Sequence, residues 1–399
     1  MSMVIRKAFK YRLKTNPEDE SLLRQFAGSC RFVWNKALAL QKDRLDQGER
    51  CLPYNKLAVL LPEWKAEFPF LKEVHSQPIQ QTLMNLDRAL KDAFDKKSPK
   101  RFPTFKRKGA ATDSFRYPQD FKLDSNRVYL PKIGWVAFFN SRLIEGAPRN
   151  VTVSRKGPHW FVSIQTEGEV AEPSHPSGAI IGGDRGVKRF LSLSDGTFHE
   201  PLNAFRKMAG KLAKEQRKLA RKIKKSKNWL KQKVRITKLH IKIAAARNDY
   251  LHKISTDVSK NHAIVVLEDL KVVNMSKSAK GSAAAPGRNI SQKSGLNKAV
   301  LDQGWGEFRR QLEYKQAWRG GWVLYVNPAY TSQKCSQCGH VAAENRKSQE
   351  QFCCLACGHL AHADENAAIN IERAGHAQLA CQANDAAMSS ATGTTKKAA

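Results

Sequence analysis

The sequence predicts a multidomain α/β protein with a small β-barrel and a metal-binding insert. Three observations carry this expectation. An all-β text runs from Ser114 to Glu169, strands alternate with long helices from Ala179 onward, and two C-x2-C pairs stand close together near the carboxy-terminal end. At 399 residues the chain is also too long for one comfortable core, so several structural units are expected.

Val4 to Lys14 alternates apolar with basic residues and reads as a strand whose partners lie elsewhere in the chain. Asn16-Pro17-Glu18-Asp19-Glu20 opens a helical stretch that continues, with interruptions, to about Phe94; its clearest part is LKEVHSQPIQQTLMNLDRALKDAF. Lys96 to Lys108 (KKSPKRFPTFKRK) is a Pro-broken basic loop with two Phe residues. That composition suits phosphate contact and stacking, through Arg101, Lys106 and Arg107, and suits a solvated linker equally. The segments RVYLPKIGWVAF, RNVTVS and HWFVSIQTE suggest an antiparallel barrel closed by the first strand, with the helical stretch inserted.

Pro173 to Gly178 (PSHPSG) marks a boundary. Beyond it come the strands AIIGGD and KRFLSLSDG, a short strand, long helices, the buried strand AIVVLEDL, a loop, a helix and the strand GWVLYVNP. That order is what a ribonuclease-H-like domain would show, although periodicity alone admits another α/β fold. Ser276 to Ser294 reads as flexible loop, and Gly375 to Ala399 as a disordered Ala/Ser/Thr-rich tail.

Charge narrows the function. There are 69 Lys and Arg against 36 Asp and Glu, a formal +33, and an excess of that size repels itself unless a polyanion neutralises it. Nucleic acid is the natural partner. An anionic membrane would need an apolar anchor or an amphipathic helix with an exposed apolar face. The longest apolar runs are strand-sized, such as Ala263 to Leu267, and the opening MSMVIRKAFKYRLK lacks a signal-type apolar core. A soluble intracellular protein that uses no membrane is expected. Arg206 to Lys253 holds eighteen Lys/Arg and two acids, Glu215 and Asp249. Leu212, Leu219, Ile223, Leu230 and Val234 recur there at helical intervals, so one stripe is expected to pack while the remainder, including Lys218, Arg221 and Lys222, meets phosphate.

Cys335-x2-Cys338 and Cys354-x2-Cys357 lie fifteen residues apart, each followed by glycine. Two such turns can close a tetrahedral four-thiolate shell around one Zn²⁺, and a closed shell leaves no position for water, so the site is structural. Cys353 breaks the spacing and is left out, and four unrelated buried cysteines would be the bland alternative.

Carboxylates at strand ends offer a second metal chemistry. Phosphodiester hydrolysis by two Mg²⁺-like ions about 3.5–4 Å apart requires carboxylate oxygens on rigid elements. Asp184 ends one buried strand, Glu268 ends another, and Asp364 opens the helical stretch DENAAINIERA. Each has an ordinary reading as turn residue, strand end or helix cap. Asp269 and Glu365 are rivals; alternation lets only one of Glu268 and Asp269 face a shared site without saying which.

The ordered set GGDRGVKRFLSLSDG, VVLEDL, NPAYTSQKCSQCGH, FCCLACG and HADENAAINIERA resembles TnpB, the family of transposon-encoded RNA-guided nucleases related to type V CRISPR effectors. LKEVHSQPIQQTLMNLDRA and FPTFKRK extend the resemblance, more loosely, into the amino-terminal half. The resemblance implies a RuvC nuclease domain of ribonuclease-H fold over 173–330 and 360–374, with Asp184, Glu268 and Asp364 holding two Mg²⁺ ions, or Mn²⁺ in their place. It implies a zinc-ribbon insert over 331–359 near the target strand. Residues 1–14 and 101–172 would form an oligonucleotide-binding-type barrel for guide RNA, and residues 15–100 a helical recognition lobe. Tyr54 and Gln80 become candidate readers of a short motif beside the target, since Gln pairs bidentately with adenine.

The implied protein cuts double-stranded target DNA as a monomer with a guide RNA drawn from the transposon end, in a prokaryotic cytoplasm at the nucleoid. Gly183 and Arg185 depart from the apolar residues the family often has around the first acid; Arg185 should point away from Asp184 if the strand continues, or else touch substrate phosphate. The alternatives are a transposase that joins DNA ends, and a guide-RNA-directed repressor with a dead site. Such a repressor would lack one or more of the three acids, and this chain keeps all three.

Overall fold

Alternation sets the first strand. In β1 (Ser2–Lys14) the side chains of Ile5, Phe9, Tyr11 and Leu13 are buried and those of Lys10, Arg12 and Lys14 exposed. The computed structural model describes residues 2–108, 113–282, 285–348 and 350–392. The chain divides into two units, Met1–Ala171 and Glu172–Ala399.

In the first unit, helices α1 (Pro17–Asp46), α2 (Tyr54–Val59), α3 (Leu61–Glu67) and α4 (Ser76–Phe94) precede strands β2 (Ser114–Tyr117), β3 (Lys122–Asp124), β4 (Arg127–Leu130), β5 (Gly134–Phe138), β6 (Ala147–Lys156) and β7 (His159–Ala171). Helix α1 opens with a reciprocal cap: the Asp19 N–H donates to Asn16 Oδ1 at 2.7 Å, and the Asn16 N–H donates to the Asp19 carboxylate at 3.1 Å. The seven strands form one sheet of order β2-β6-β7-β1-β5-β4-β3. Strand β1 pairs with β7 through Arg12 and then with β5 through Leu13 and Lys14.

The expected closed barrel is not formed. Strands β2 and β3 remain the two edges, and no ladder joins them among the described residues. The inner side chains of β2, Phe115 and Tyr117, pack instead on α1, with the Phe26 ring 5.4 Å and 6.5 Å from theirs. Helices thus cover the apolar surface that closure would have buried, and the sheet shares one core with Leu23 and Val33 of α1 and Leu83 and Leu86 of α4.

The second unit contains β8 (Ile180–Asp184), β9 (Leu191–Leu193), β10 (Phe198–His199), α5 (Ala204–Ala220), α6 (Lys227–Asn261), β11 (Ile264–Glu268), α7 (Val272–Met275), α8 (Ile290–Gln303), α9 (Trp305–Arg319), β12 (Trp322–Val326), β13 (Gln351–Cys353), β14 (Leu360–His362) and α10 (Ala363–Thr392). Five strands form a mixed sheet, β10-β9-β8-β11-β12, in which β8, β11 and β12 run parallel, β9 is antiparallel to β8, and β10 is antiparallel to β9. One face carries Ile181, Val265 and Leu267 against Leu251 and Ile254 of α6 and Phe308 and Leu312 of α9. The other carries Val266 and Val326 against Ile371 of α10. Among the described residues, no helix is long and apolar enough to cross a membrane.

Three sequence expectations change here. The region read as a tail from Gly375 continues α10 to Thr392, because Gly375 lets that helix lie directly on Val266; residues 393–399 lie outside the described residues. The loop expected to Ser294 ends earlier, where α8 begins at Ile290. The apolar stripe of the basic stretch packs only in part. Leu212 is buried, whereas Ile223, Leu230 and Val234 are exposed, since the turn between α5 and α6 lies past the packed part of the helix pair and Ile236, Ile243 and Leu251 supply the buried positions on α6.

Candidate active site and cysteine cluster

The three sequence-predicted acids are brought together by strand parity and two close approaches. Gly183 pairs with Leu267 in the parallel ladder, so Asp184 and Glu268 end adjacent strands one residue further on. Parity puts Gly182 and Asp184 of β8, like Val266 and Glu268 of β11, on the face covered by α10. A side chain at Gly182 would have its Cβ 2.2 Å from the Ala368 carbonyl oxygen, and one at Gly375 would meet Val266 Cγ2 at 2.4 Å. Both positions must be glycine for α10 to approach this closely. Its first turn then carries Asp364 to the strand ends.

Burial and mutual repulsion act on these carboxyls. Glu268 and Asp364 are each 8% exposed. Burial, followed by the charges of Glu268 and Asp364, pushes the Asp184 carboxyl up to about 7, against the opposing pull of Arg346 and Arg185. Burial also raises the Glu268 carboxyl, which a hydrogen bond from Thr331 Oγ1 and the charge of Arg185 partly offset. Asp269 faces elsewhere, held by Lys271 and, at 3.1 Å, by Arg309; the Lys271 hydrogen bond leads in holding its carboxyl below the usual range. Carboxylates are the hard oxygen donors that divalent cations of the Mg²⁺ type take, but the oxygens of these three acids are not all within 4.8 Å of one another.

Arg185 is buried, and its guanidinium donates to the backbone carbonyl of Glu268. The side chain is therefore turned inward, against the end of β11. Arg346, which sequence reasoning missed, places Nη2 3.3 Å from Asp364 Oδ1. Nothing local distinguishes it from a solvated cation; its place depends on the buried Asn345, whose Oδ1 accepts from the Leu355 N–H at 2.9 Å and whose Nδ2 donates to the Gln333 carbonyl at 3.0 Å.

Four thiols form the second centre. The Sγ atoms of Cys335, Cys338, Cys354 and Cys357 all lie within 4.8 Å of one another, the only such group of His, Cys, Asp or Glu side chains among the described residues. Each C-x2-C turn closes alike: Gly339 N–H donates to Cys335 O and Gly358 N–H to Cys354 O, both at 3.0 Å, with the two glycines at φ +80° and +70°. Burial opposes ionisation of Cys354, but N–H groups of Cys357 and Ala356 bring its thiol down to about 6. The cluster has the donors and spacing to bind one Zn²⁺. Cys353 lies outside it, on β13.

The nucleic-acid candidates divide by exposure. Gln80, Arg101, Arg107 and Arg221 are exposed; Tyr54 is half-buried against the first core, and Lys222 is half-buried. Lys218 pairs with Glu215 at 2.9 Å. The Lys106 ammonium sits 3.8 Å from the Trp34 ring centroid, and its backbone is clasped by both atoms of the Asn35 amide, so this part of the basic loop is docked on α1.

Buried acids at the ends of a mixed sheet, a four-thiol cluster and the comparison below define the class: a multidomain α/β protein of Cas12f-like fold. Against the cryo-EM structure of a Cas12f1–sgRNA–target DNA complex, 92% of the chain superposes on 99% of the other at TM-score 0.53 and 16% identity. Residues 305–371 match the family described as the Cas12f1-like TNB domain, residues 163–279 the one described as a probable transposase, and residues 1–50 one described as a helix-turn-helix domain. In residues 2–50 the structure has one strand and one helix and no helix-turn-helix. Putative RNA-guided DNA endonuclease InsQ of Escherichia coli K12 is 54% identical over 94% of this chain and 93% of its own length. A putative RNA-guided DNA endonuclease of Streptomyces pristinaespiralis is 33% identical over 96% and 92%. The chain belongs to the TnpB family.

Proposed function

We propose that this protein is a transposon-associated, RNA-guided DNA endonuclease whose nuclease centre is built from Asp184, Glu268 and Asp364. The function rests on the near full-length 54% identity to InsQ. The site assignment rests on one geometric observation, that two adjacent strand ends and the first turn of α10 turn these acids to one face. The β10-β9-β8-β11-β12 order, antiparallel then parallel, supports a ribonuclease-H-like RuvC domain. All three acids are present, and the charges of Glu268 and Asp364 both act on Asp184, which favours cleavage over guide-directed repression.

Two Mg²⁺ ions held by these acids would activate water and stabilise the leaving oxygen. The protein's own contribution is to hold the donors still. Thr331 fixes one oxygen of Glu268, Arg185 ties down the Glu268 backbone, and Arg346 brings positive charge to the anionic cleft. The zinc-bound insert, residues 331–359, would lie against target nucleic acid. The first-unit sheet would hold guide RNA drawn from the transposon end, and the helices around Tyr54 and Gln80 would read the flanking motif. The excess of Lys and Arg suits backbone binding with sequence delegated to base pairing.

The test is to purify the protein with co-expressed RNA, sequence that RNA, and challenge a plasmid library of randomised flanks with Mg²⁺. Linearised plasmids sharing one flanking motif are expected, and none with Asp184→Ala. Intact plasmid from the wild type, or cleavage by Asp184→Ala, overturns the proposal.

A further inference from the structure

Helix α10 is held on one side by the cysteine-bearing insert, through Asn366, Asn370 and Arg373. A second tie reaches it from the sheet, through residues that the metal chemistry does not use. Strand β9 ends at Leu193, and the chain turns at Gly196, whose N–H donates to Leu193 O at 3.1 Å. Ser194 thus follows directly on the Gly183–Leu193 pair of the β8–β9 ladder. Its N–H donates to Gly182 O at 3.0 Å, and the Gly182 N–H donates to its hydroxyl, also at 3.0 Å.

A hydroxyl can accept and donate at once. That of Ser194 accepts from the backbone of β8 and donates its proton to the Glu372 carboxylate of α10. The other Glu372 oxygen lies 3.5 Å from His376 Nε2. Glu372 reaches β9 by passing over β8, and it can do so because Gly182 has no side chain: a Cβ there would lie 2.8 Å from Glu372 Cβ. The elements joined in this way carry two of the three acids. Gly182 stands two residues before Asp184 on β8, and Glu372 about two helical turns after Asp364 on α10.

We infer that Ser194 and Glu372 are positioning residues for the nuclease centre: they set the distance of Asp184 from Asp364, and so how tightly these acids take Mg²⁺. An ordinary surface contact between a serine and a glutamate would need no such role. This one takes a backbone N–H from the strand that ends in Asp184 and a carboxylate from the helix whose first turn holds Asp364. The oxygens of the three acids are not all within 4.8 Å of one another, so the spacing of strand and helix decides whether they can close on one ion. Groups that orient metal ligands without touching the metal change its affinity by about 10- to 100-fold when they are lost. The inference rests on the assignment of the three acids as the nuclease centre.

The test uses the full chain loaded with RNA, and follows single-turnover cleavage of matched DNA across a Mg²⁺ titration. Ser194→Ala and Glu372→Ala should each raise the half-saturating Mg²⁺ concentration about tenfold, the lower end of that range because both act through the backbone, and saturating Mg²⁺ should restore most of the rate. Ser194→Thr keeps the hydroxyl and should match the wild type. Glu372→Gln keeps an acceptor oxygen without its charge; at half the hydrogen-bond energy it should shift the midpoint about threefold. Mn²⁺ binding to the same protein, read by calorimetry as the difference from Asp184→Ala, should weaken about tenfold in Ser194→Ala. Target-DNA binding and zinc content should stay at wild-type values. A merely structural role would lower Tm and leave the Mg²⁺ midpoint where it is; that result, below the unfolding temperature of each variant, overturns the inference, as does an equal shift in Ser194→Thr. Where an alanine variant does not fold, a wild-type midpoint in Glu372→Gln overturns it. Cleavage by Asp184→Ala at the wild-type rate instead refutes the nuclease centre itself, and this inference with it.

Discussion

Replacing Gly182 by alanine should damage cleavage by moving Asp364, a residue far away in sequence. The new Cβ would lie 2.2 Å from Ala368 O, 2.6 Å from Glu372 N and 2.8 Å from Glu372 Cβ, where real contacts do not fall below 3.0 Å. These are atoms on α10, two of them backbone, so the helix must retreat by about 0.8 Å at the turn after Asp364. Overpacking of this kind costs about 1–3 kcal/mol. At roughly 2–4 °C per kcal/mol for a unit of this size, Tm should fall by about 2–12 °C. A displacement near 1 Å in a reacting constellation costs about a hundredfold in rate. The assay is single-turnover cleavage of matched DNA by RNA-loaded protein, with a thermal scan of the same samples. Gly183→Ala is the control: its Cβ would meet only methyl ends, those of Leu191 and Leu267 at 3.0 Å and of Leu193 at 3.5 Å, on the opposite face, and these can turn aside. Its rate should fall by less than about tenfold, since accommodation costs about 1 kcal/mol. If Gly182→Ala cuts at the wild-type rate, or Gly183→Ala is the worse of the two, the argument that close helix–sheet approach places the third acid is wrong.

Glu268→Gln should lower the cleavage rate by about a hundredfold or more through loss of a metal ligand, while Asp269→Asn, which removes only exposed ion pairs, should cost less than about fivefold; equal losses in the same assay would refute the strand register. Elemental analysis should find one zinc per chain, lost in Cys338→Ser and on treatment with a strong chelator, and zinc retained by Cys338→Ser would remove that cysteine from the shell. Asn366→Ala removes the acceptor for the buried Ser336 N–H at 2.8 Å, a loss of about 1–3 kcal/mol, and should speed zinc release to a chelator by roughly tenfold; an unchanged release rate would show that this asparagine does not brace the insert.

How far these features were legible in the sequence depended on whether their causes were local. The thiolate spacing and its two glycines are local, and the four sulfurs converge as the spacing implied. Strand positions in the second unit were also readable, because buried runs such as Ile264 to Leu267 are bounded by clear turns. The choice of Glu268 over Asp269 was not readable from the strand alone. It depends on which face α10 covers, and that is set by Gly182 and Gly375, separated by almost the whole domain. Glycine inside a buried strand was the available signal for close approach. The open sheet was illegible for a similar reason: Phe115 and Tyr117 pattern alike whether a strand or helix α1 covers them. Strand β8 ends at Asp184, so parity does not reach Arg185, whose direction is set by its hydrogen bond to the Glu268 carbonyl; Arg346 gave no signal, since its position depends on the side-chain hydrogen bonds of Asn345.

The three acids and the four-cysteine cluster are joined through one helix. Asp364 faces the carboxylate cleft from the first turn of α10, and two residues later Asn366 turns to the first C-x2-C turn, accepting from Ser336 N–H and donating to Lys334 O at 2.8 Å. One turn further, Asn370 donates to Lys334 O at 2.7 Å and Thr331 O at 3.0 Å, and Arg373 donates to Ser336 O. Thr331 in turn holds Glu268. Folding of the insert around a zinc ion would therefore fix the backbone that positions both Asp364 and the Thr331 hydroxyl on Glu268. Because zinc binding energy is folding energy for such an insert, a zinc ion held by the four cysteines would set the placement of these acids without touching them. Chelation should consequently reduce cleavage even when Mg²⁺ is in excess, and restoring zinc, but not adding further Mg²⁺, should recover it.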